Sequence, residues 1–496
     1  MSALAGARMQ SSMFNVRVPL RDVAESDDVF LMNTFTDAQL VVGHDVASLL
    51  DRLAEPATPD LLRGLTPDER AAIETLSEHG FIVPDRPAER KKLEAFFHDV
   101  RHSEEQLRVT VLTTLQCNFA CDYCIQGDHG DYNRTATKMS LESAARVAGW
   151  IESRLDETRA SSFVLTLFGG EPLLNLPVAY YLAERLWAAT QRRDVSMQIN
   201  VITNGLLLTP EVVDRLGPCG LNGIKITLDG DRDTHNRMRP LRGGQGTFDK
   251  IISNIRKIAG RCRISIGGNF DESSAASYPA LLDFLAAQDF APHLSRVAFK
   301  PVVRDVISRV SDGPAPTGPG RTKFIGLTPV TDGKPLGGTC MTSAGAGATA
   351  GACDTCHFAS DQMSFLRDET KKRGFKTSDG VHMGPCEIHR KHAHTIGPDG
   401  DIYACPGFTG DKKMATGHID GSGSAFRSLA AQRFEQLAAW KECQDCAFIP
   451  VCAGGCSVAS HSELGDMNAP SCHKRSFEAG VVSMARDAAA SMVLAN

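Results

Sequence analysis

The chain has 496 residues, 42% hydrophobic and 23% charged; at roughly 150 residues per domain it has room for about three folded units and is not a disordered chain. Lys+Arg 53 against Asp+Glu 59 leaves a net charge of −6, which argues against nucleic acid or an anionic membrane as the main partner. No apolar run nears the roughly 18 residues of a membrane span, and residues 1–10 lack the apolar core of an export signal, so a cytoplasmic setting is expected. Fifteen cysteines at short spacings then point to metal binding or chemistry rather than to disulfides.

Residues 1–100 read as a small α+β unit of winged-helix-like shape. Strands are expected at 14–19, 29–35 and 39–42, a short amphipathic helix at 45–53, and one more strand at 81–83. Thr66-Pro67-Asp68-Glu69 carries a complete helix start: Thr66 at the N-cap, Pro67 at the first helical position and Glu69 closing a capping box; Gly80 ends the helix. With 10 Lys/Arg and 17 Asp/Glu in residues 1–100, the unit has the wrong sign for DNA.

From 105 to 305 the pattern alternates. Strands are expected at 107–115, 163–168, 197–203, 224–228, 263–267 and 296–301, and helices at 141–155, 179–191, 210–216, 248–258 and 278–288. Six strands alternating with helices predict an α/β fold with a parallel sheet curled into a partial (β/α)6 barrel, whose reactive groups sit at the C-terminal strand ends. Residues 306–380 read as a linker or bridging region, Gly-, Pro-, Thr- and Ser-rich over 311–350, where a mobile lid is also expected. A cysteine-rich unit spans 381–480, and 481–496 form a tail.

Directly after the first barrel strand come Cys117, Cys121 and Cys124, spaced C-x3-C-x2-C. Three thiolates fit three irons of a [4Fe–4S] cube and leave the fourth iron open. Here the sequence resembles the radical S-adenosylmethionine (SAM) superfamily, in which the open iron binds SAM and the reduced cluster cleaves it to a 5′-deoxyadenosyl radical. The resemblance implies further SAM contacts: Tyr123 near the adenine, Gly169, Gly170 and Glu171 of a GGEP motif near the methionine end, and Asn204 after the third strand. Thr227 would reach the ribose and Arg239 the carboxylate, in a stretch Thr227-Leu228-Asp229-Gly230 followed by His235, itself either a surface residue or part of the motif. Glycines at 169 and 170 would admit close backbone approach to the cofactor.

The C-terminal unit carries Cys386, Cys405, Cys443, Cys446, Cys452, Cys456 and Cys472, with Gly400 before the second. This spacing resembles the SPASM domain, which holds two auxiliary [4Fe–4S] clusters in radical SAM peptide maturases. The resemblance assigns Cys443, Cys446, Cys452 and Cys472 to one cluster and Cys386, Cys405 and Cys456 to the other. Two closed auxiliary cubes and one open cube need eleven protein ligands, and these motifs supply ten. The eleventh could be His389, His392 or His394, or Cys340, Cys353 or Cys356, or the iron could be open to a substrate thiolate; the bland reading of the histidines is a solvated basic loop. Cys219 and Cys262 fall outside every spacing and read as core thiols. In sulfatase maturases an Asp follows the second SPASM cysteine, whereas here Pro406 follows Cys405. The catalytic base is therefore not assigned.

The whole pattern implies a radical SAM peptide maturase with an N-terminal peptide-recognition-like unit, making a thioether, C–C or ether cross-link in a ribosomally made precursor peptide. An electron donor such as flavodoxin or ferredoxin is implied, with no nucleic acid and no membrane. A sulfatase-maturase-like enzyme and a small-molecule radical SAM enzyme are the alternatives.

Overall fold

A computed structural model describes residues 8–24, 26–124, 136–302, 354–382, 384–422 and 425–495. The lid expected at 311–350 lies outside the described residues, as do Cys340 and Cys353.

The N-terminal unit builds two small sheets. Strands β1 (Gln10–Ser11) and β5 (Ile82–Val83) pair antiparallel; β2 (Asn15–Pro19), β3 (Val29–Asn33) and β4 (Gln39–Val42) form a three-stranded sheet in that order. The helix Pro67–Glu78 starts as its sequence dictates: the Thr66 hydroxyl accepts from the Glu69 amide at 3.1 Å, and the Glu69 carboxylate accepts from the Thr66 amide at 2.8 Å. Gly80 follows with φ +84°, a conformation glycine adopts without strain.

A helix over Arg86–His102 was not expected from the sequence, because its charged residues outnumber its apolar ones. The Asp85 carboxylate caps its start, and Leu93 and Phe97, four apart, form its buried stripe. Phe97 stacks on Trp440 with ring centroids 4.6 Å apart, tying this unit to the cysteine-rich region. Phe30 and Met32 share a second core with Phe448, Phe477 and Val481. The expected tail is thus part of a helix, Lys474–Ala495, that packs on the N-terminal sheet and runs across the boundary drawn at 480.

The central sheet has β6 (Gln106–Thr114), β7 (Ser162–Gly169), β8 (Ser196–Thr203), β9 (Leu221–Thr227), β10 (Ile264–Phe270) and β11 (Leu294–Pro301), all parallel and neighbours in sequence order. The alternation follows burial: on β7, Phe163, Leu165 and Leu167 are fully buried toward the helices, while Val164, Thr166 and Phe168 are half-buried on the other face. Two helices match the expected spans, Pro210–Leu216 and Phe248–Ile258, and Leu141–Thr158, Leu176–Gln191 and Tyr278–Ala286 differ by a few residues. Pairing continues past β6 into the cysteine-rich region. Strand β12 (Ala393–Ile396) pairs parallel to β6, and β13 (Asp401–Tyr403) and β14 (Gly417–His418) extend it antiparallel, giving nine strands. The region read as a linker ends in a helix, Asp354–Lys372, which packs on β11. No helix among the described residues is long and apolar enough to cross a membrane.

A braced cysteine loop as the candidate active site

The three cysteines leave the C-terminal end of β6 in one loop. Its first sulfur, on Cys117, accepts from the Phe119 amide at 3.4 Å. The loop is pinned on one side to residues 240–242: Ala120 N–H donates to the Pro240 carbonyl at 2.9 Å and Arg242 N–H to the Asn118 carbonyl at 3.2 Å. The other side is held by the GGEP segment, where Gly170 N–H donates to the Thr114 carbonyl and Glu171 N–H to the Gln116 carbonyl, both at 2.9 Å.

The two glycines serve that contact. A Cβ on Gly170 would lie 2.3 Å from the Gln116 oxygen, and one on Gly169, whose φ is +139°, would lie 2.2 Å from the Thr114 oxygen. The close approach is therefore to the cysteine loop itself, not only to a ligand. Glu171 is fully buried, and its carboxylate accepts from the Thr203 hydroxyl and the Asn204 amide at 2.7 Å and from the Leu173 amide at 3.0 Å. Burial nevertheless pushes its carboxyl up from the usual range. Asn204 Nδ2 in turn donates to Asn118 Oδ1 at 2.7 Å, closing the brace between the third strand and the cysteine loop. Glu171 and Asn204, both expected to touch the cofactor, direct these groups into the protein.

On the far wall sits a buried knot. The Tyr123 hydroxyl donates to Asp229, and Arg239 Nη1 donates to the Tyr123 oxygen at 2.6 Å and lies 3.5 Å from Asp229. Asp229 also accepts from the Asn269 amide at 2.7 Å. Burial pushes the Asp229 carboxyl up and Arg239 pulls it down, the first prevailing. Tyr123 packs its ring among Met238 and Val302, so its hydroxyl is engaged in the knot. Its place two residues after Thr227, in the same stretch, is the signal in the sequence that points to Asp229.

His235 is not a surface residue. It is fully buried, its Nδ1 accepts from the Asp229 amide at 3.2 Å, and Nε2 donates to Thr247 Oγ1 at 3.1 Å, whose hydroxyl donates to the Arg239 carbonyl at 2.9 Å. Burial holds its pKa well below the ordinary value, so it is a neutral positioning residue for Asp229 and Arg239.

The residues present fit an iron cube with a bound cofactor that carries a carboxylate. The Cys117, Cys121 and Cys124 thiols lie within electrostatic range of one another, and burial pushes Cys117 up to about 12 and Cys121 still further. A deprotonated trio in that setting calls for a cationic centre. Arg239 faces Cys117, Cys121 and Glu171 as well as its knot, yet its buried Nε has no hydrogen-bond partner among the described residues. An orphaned guanidinium donor beside these thiols fits a bound anion.

The C-terminal cysteines group in two sets. Cys443, Cys446, Cys452 and Cys472 lie in electrostatic range of one another, and so do Cys386, Cys405 and Cys456. Burial pushes Cys405, Cys443 and Cys452 up to about 12. Among the described residues no three His, Cys, Asp or Glu side chains are drawn to the spacing of a single-ion site. A cube gives each thiolate its own iron, so its ligands stand farther apart than those of one ion.

The run 386–394 is not a solvated loop. His389 is buried with no partner for Nε2 among the described residues, and burial pushes its pKa to about 4. His394, on β12 opposite Val109, sets its ring edge-on to Trp150 at 5.1 Å on the helix layer, and His392 Nε2 lies 3.9 Å from Glu104. Cys219 is buried as expected, and Cys262 is half-buried against the same core.

Residues 111–268 match the family model of the Radical SAM superfamily, so this part of the chain is a radical SAM domain, set in an α/β fold with a cysteine-rich C-terminal region. The AdoMet-dependent heme synthase of Methanosarcina barkeri is 28% identical over 144 residues, which are 29% of this chain and 36% of that protein. A GTP 3′,8-cyclase of Synechococcus sp. is 31% identical over 146 residues, 29% of this chain and 39% of that protein. The chain thus spans little more than a third of these curated relatives. Among solved structures, native anSMEcpe with bound AdoMet superposes with a TM-score of 0.55 at 15% identity, covering 77% of this chain and 99% of that one. That likeness is one of fold.

Proposed function

We propose that the protein is a radical SAM enzyme that modifies a ribosomally made precursor peptide by hydrogen abstraction, installing a thioether, C–C or ether cross-link. The observation that carries the reading is the braced trio of thiols facing the orphaned Nε of Arg239. Cys117, Cys121 and Cys124 would hold the cube, and the reduced cluster, when bound, supplies the electron that cleaves SAM to a 5′-deoxyadenosyl radical. Arg239 would take the anionic end of SAM and Thr227 its ribose. Tyr123 and Asp229 orient Arg239, and His235 fixes the backbone on both sides of that pair.

Cys443, Cys446, Cys452 and Cys472 would hold one auxiliary cluster, and Cys386, Cys405 and Cys456 the other. The N-terminal unit would recognise the peptide: in the order β2-β3-β4, strand β4 pairs among the described residues with β3 on one side only, and an extended leader could add there as a strand. Its excess of 17 Asp/Glu over 10 Lys/Arg in residues 1–100 suits a basic leader. A peptide substrate is supported by the fold neighbour solved with AdoMet and the Cp18Cys peptide, at TM-score 0.54. The electron donor would be a flavodoxin or ferredoxin in a cytoplasmic setting. A small-molecule substrate is the second reading, favoured by the identity of the barrel to the heme synthase and the cyclase.

The test uses anaerobically reconstituted full chain with SAM, dithionite and any short peptide found encoded beside it. Formation of 5′-deoxyadenosine with a mass loss of two hydrogens per cross-link is expected. No 5′-deoxyadenosine removes the radical reading; 5′-deoxyadenosine with neither binding nor modification of the peptide transfers the protein to the small-molecule reading. Cys443→Ala is expected to keep SAM cleavage and lose peptide product by at least tenfold, measured by chromatography of both products. Normal product would remove the electron-accepting role from that cluster.

A further inference from the structure

The six parallel strands β6–β11 carry four basic residues, Arg108, Lys225, Arg296 and Lys300, and no acidic one. Arg108 is paired with Glu387. The other three make no ion pair and no side-chain hydrogen bond among the described residues. They share one face. Ile224 and Ile226 of β9 are buried in the core against the helices, so Lys225 between them points into the barrel lumen. A Cβ on Gly267 would lie 2.7 Å from Lys225 Cε, so the missing side chain of β10 makes room for the lysine stem on that same face.

The register aligns the rest. Lys225 pairs with Ser265, which pairs with Arg296; two residues further along, Thr227, Gly267 and Ala298 align; and one step above them Asn269 pairs with Lys300. Asn269 bonds Asp229, so Lys300 stands beside the Tyr123–Asp229–Arg239 knot and Lys225 stands deeper in the lumen. All three cations reach water. Lys225 is also walled by protein, and that burial, with Lys300 and Arg296 near it, lowers its pKa to about 8. Three like charges gathered without a carboxylate among the described residues repel one another, and an anionic ligand would supply the counter-charge.

We propose that the barrel lumen binds a carboxylate of the substrate, the side chain of an Asp or Glu in the precursor peptide, through Lys225 and Lys300 with Arg296 beside them. The choice of a peptide carboxylate rests on the proposed function; the anion site itself rests on the lumen. It sets the acidic residue within the barrel, below the mouth where the cysteine loop lies, and so selects which neighbouring residue of the peptide faces the radical. Facing Lys225 are Asn200 and Ile202 from the β8 side, Ser265 and Gly267 from β10, and Arg296 and Lys300 from β11. Among the described residues that face it, only the last two are charged. The bound anion therefore favours protonated Lys225, and affinity falls as pH rises through about 8.

The test is calorimetric titration of the reconstituted full chain with N-acetylglutamate methylamide, its glutamine counterpart and inorganic tripolyphosphate. The glutamate probe is expected to bind at least tenfold tighter than the glutamine probe. The double variant Lys225→Met/Lys300→Met should lose at least tenfold, with iron content and SAM affinity unchanged. Lys225→Arg, which keeps the charge, should hold affinity at pH 7 and abolish its fall through pH 8; this variant decides the matter if the double variant does not fold. Equal binding of the two amino-acid probes, equal binding by the variants, or an unchanged pH profile in Lys225→Arg overturns the proposal. Tighter binding of tripolyphosphate than of the glutamate probe also overturns it and assigns the lumen to a phosphorylated small molecule. Formation of 5′-deoxyadenosine by the same preparation is read separately, so loss of the radical reading is distinguishable from loss of the carboxylate site.

Discussion

Replacing Cys117, Cys121 and Cys124 together by Ala is expected to abolish SAM cleavage, with 5′-deoxyadenosine falling to background and iron dropping by about four atoms per chain. The three thiols occupy one loop whose backbone is held independently of them, by the Gly170 and Glu171 amides on one side and the Pro240 carbonyl on the other. Truncating each sulfur therefore removes the ligands without removing the brace. The fold should survive, because Cys117 is one small member of a core carried by Val109, Val111, Leu165, Leu167 and many other aliphatic side chains. Iron and sulfide analysis, circular dichroism and product chromatography check the three parts. A variant that retains all its iron, or still forms 5′-deoxyadenosine, places the cofactor elsewhere.

The second large effect is expected at Gly170. Its added Cβ in Gly170→Ala would lie 2.3 Å from the Gln116 oxygen and 2.5 Å from the Leu115 oxygen, both backbone atoms that no rotamer change can move. Relief requires the cysteine loop to shift, one residue from Cys117. Overpacking of this kind costs about 3 kcal/mol, and a shift of about 1 Å at a site that must hold three ligands in register disables it. Loss of most of the SAM-binding cluster is expected, again near four irons per chain, with a lowered denaturation midpoint under anaerobic conditions. Gly217→Ala is the control, since nothing lies within 4 Å of its Cβ position. It should change the stability by less than about 0.5 kcal/mol. If Gly170→Ala retains iron and stability like the control, the brace is not what holds the loop.

Much of the site was legible from short-range signals. The C-x3-C-x2-C spacing places three sulfurs in one loop whatever surrounds it, and alternation on β7 and the capping box at Thr66 set their elements by local chemistry. The partners of those residues were less legible. That Gly169 and Gly170 also lie against the carbonyls of Thr114 and Gln116 was not legible, because those carbonyls come from another strand end. For His235 the sequence left a surface residue and a motif residue both open, because the polar groups around it, Thr247 and the Asp229 amide, lie across a loop and a helix. The helix Arg86–His102 was missed because its charged sequence lacks a broad apolar face, and the stripe of Leu93 and Phe97 gains its burial from Trp440, more than 300 residues away.

By itself the chain's order of residues determined the close spacing of the cysteines in two regions and six strands alternating with helices, because spacing and periodicity are properties of neighbours along the backbone. Only the tertiary structure decided that β12 joins the barrel sheet beside β6, that the helix Lys474–Ala495 completes the N-terminal core, and that Lys225, Arg296 and Lys300 converge on one lumen. Those outcomes depend on strand register and on which faces close over each other. A shift of register by one residue reverses the side a lysine points to, and no local pattern in the sequence carries that information.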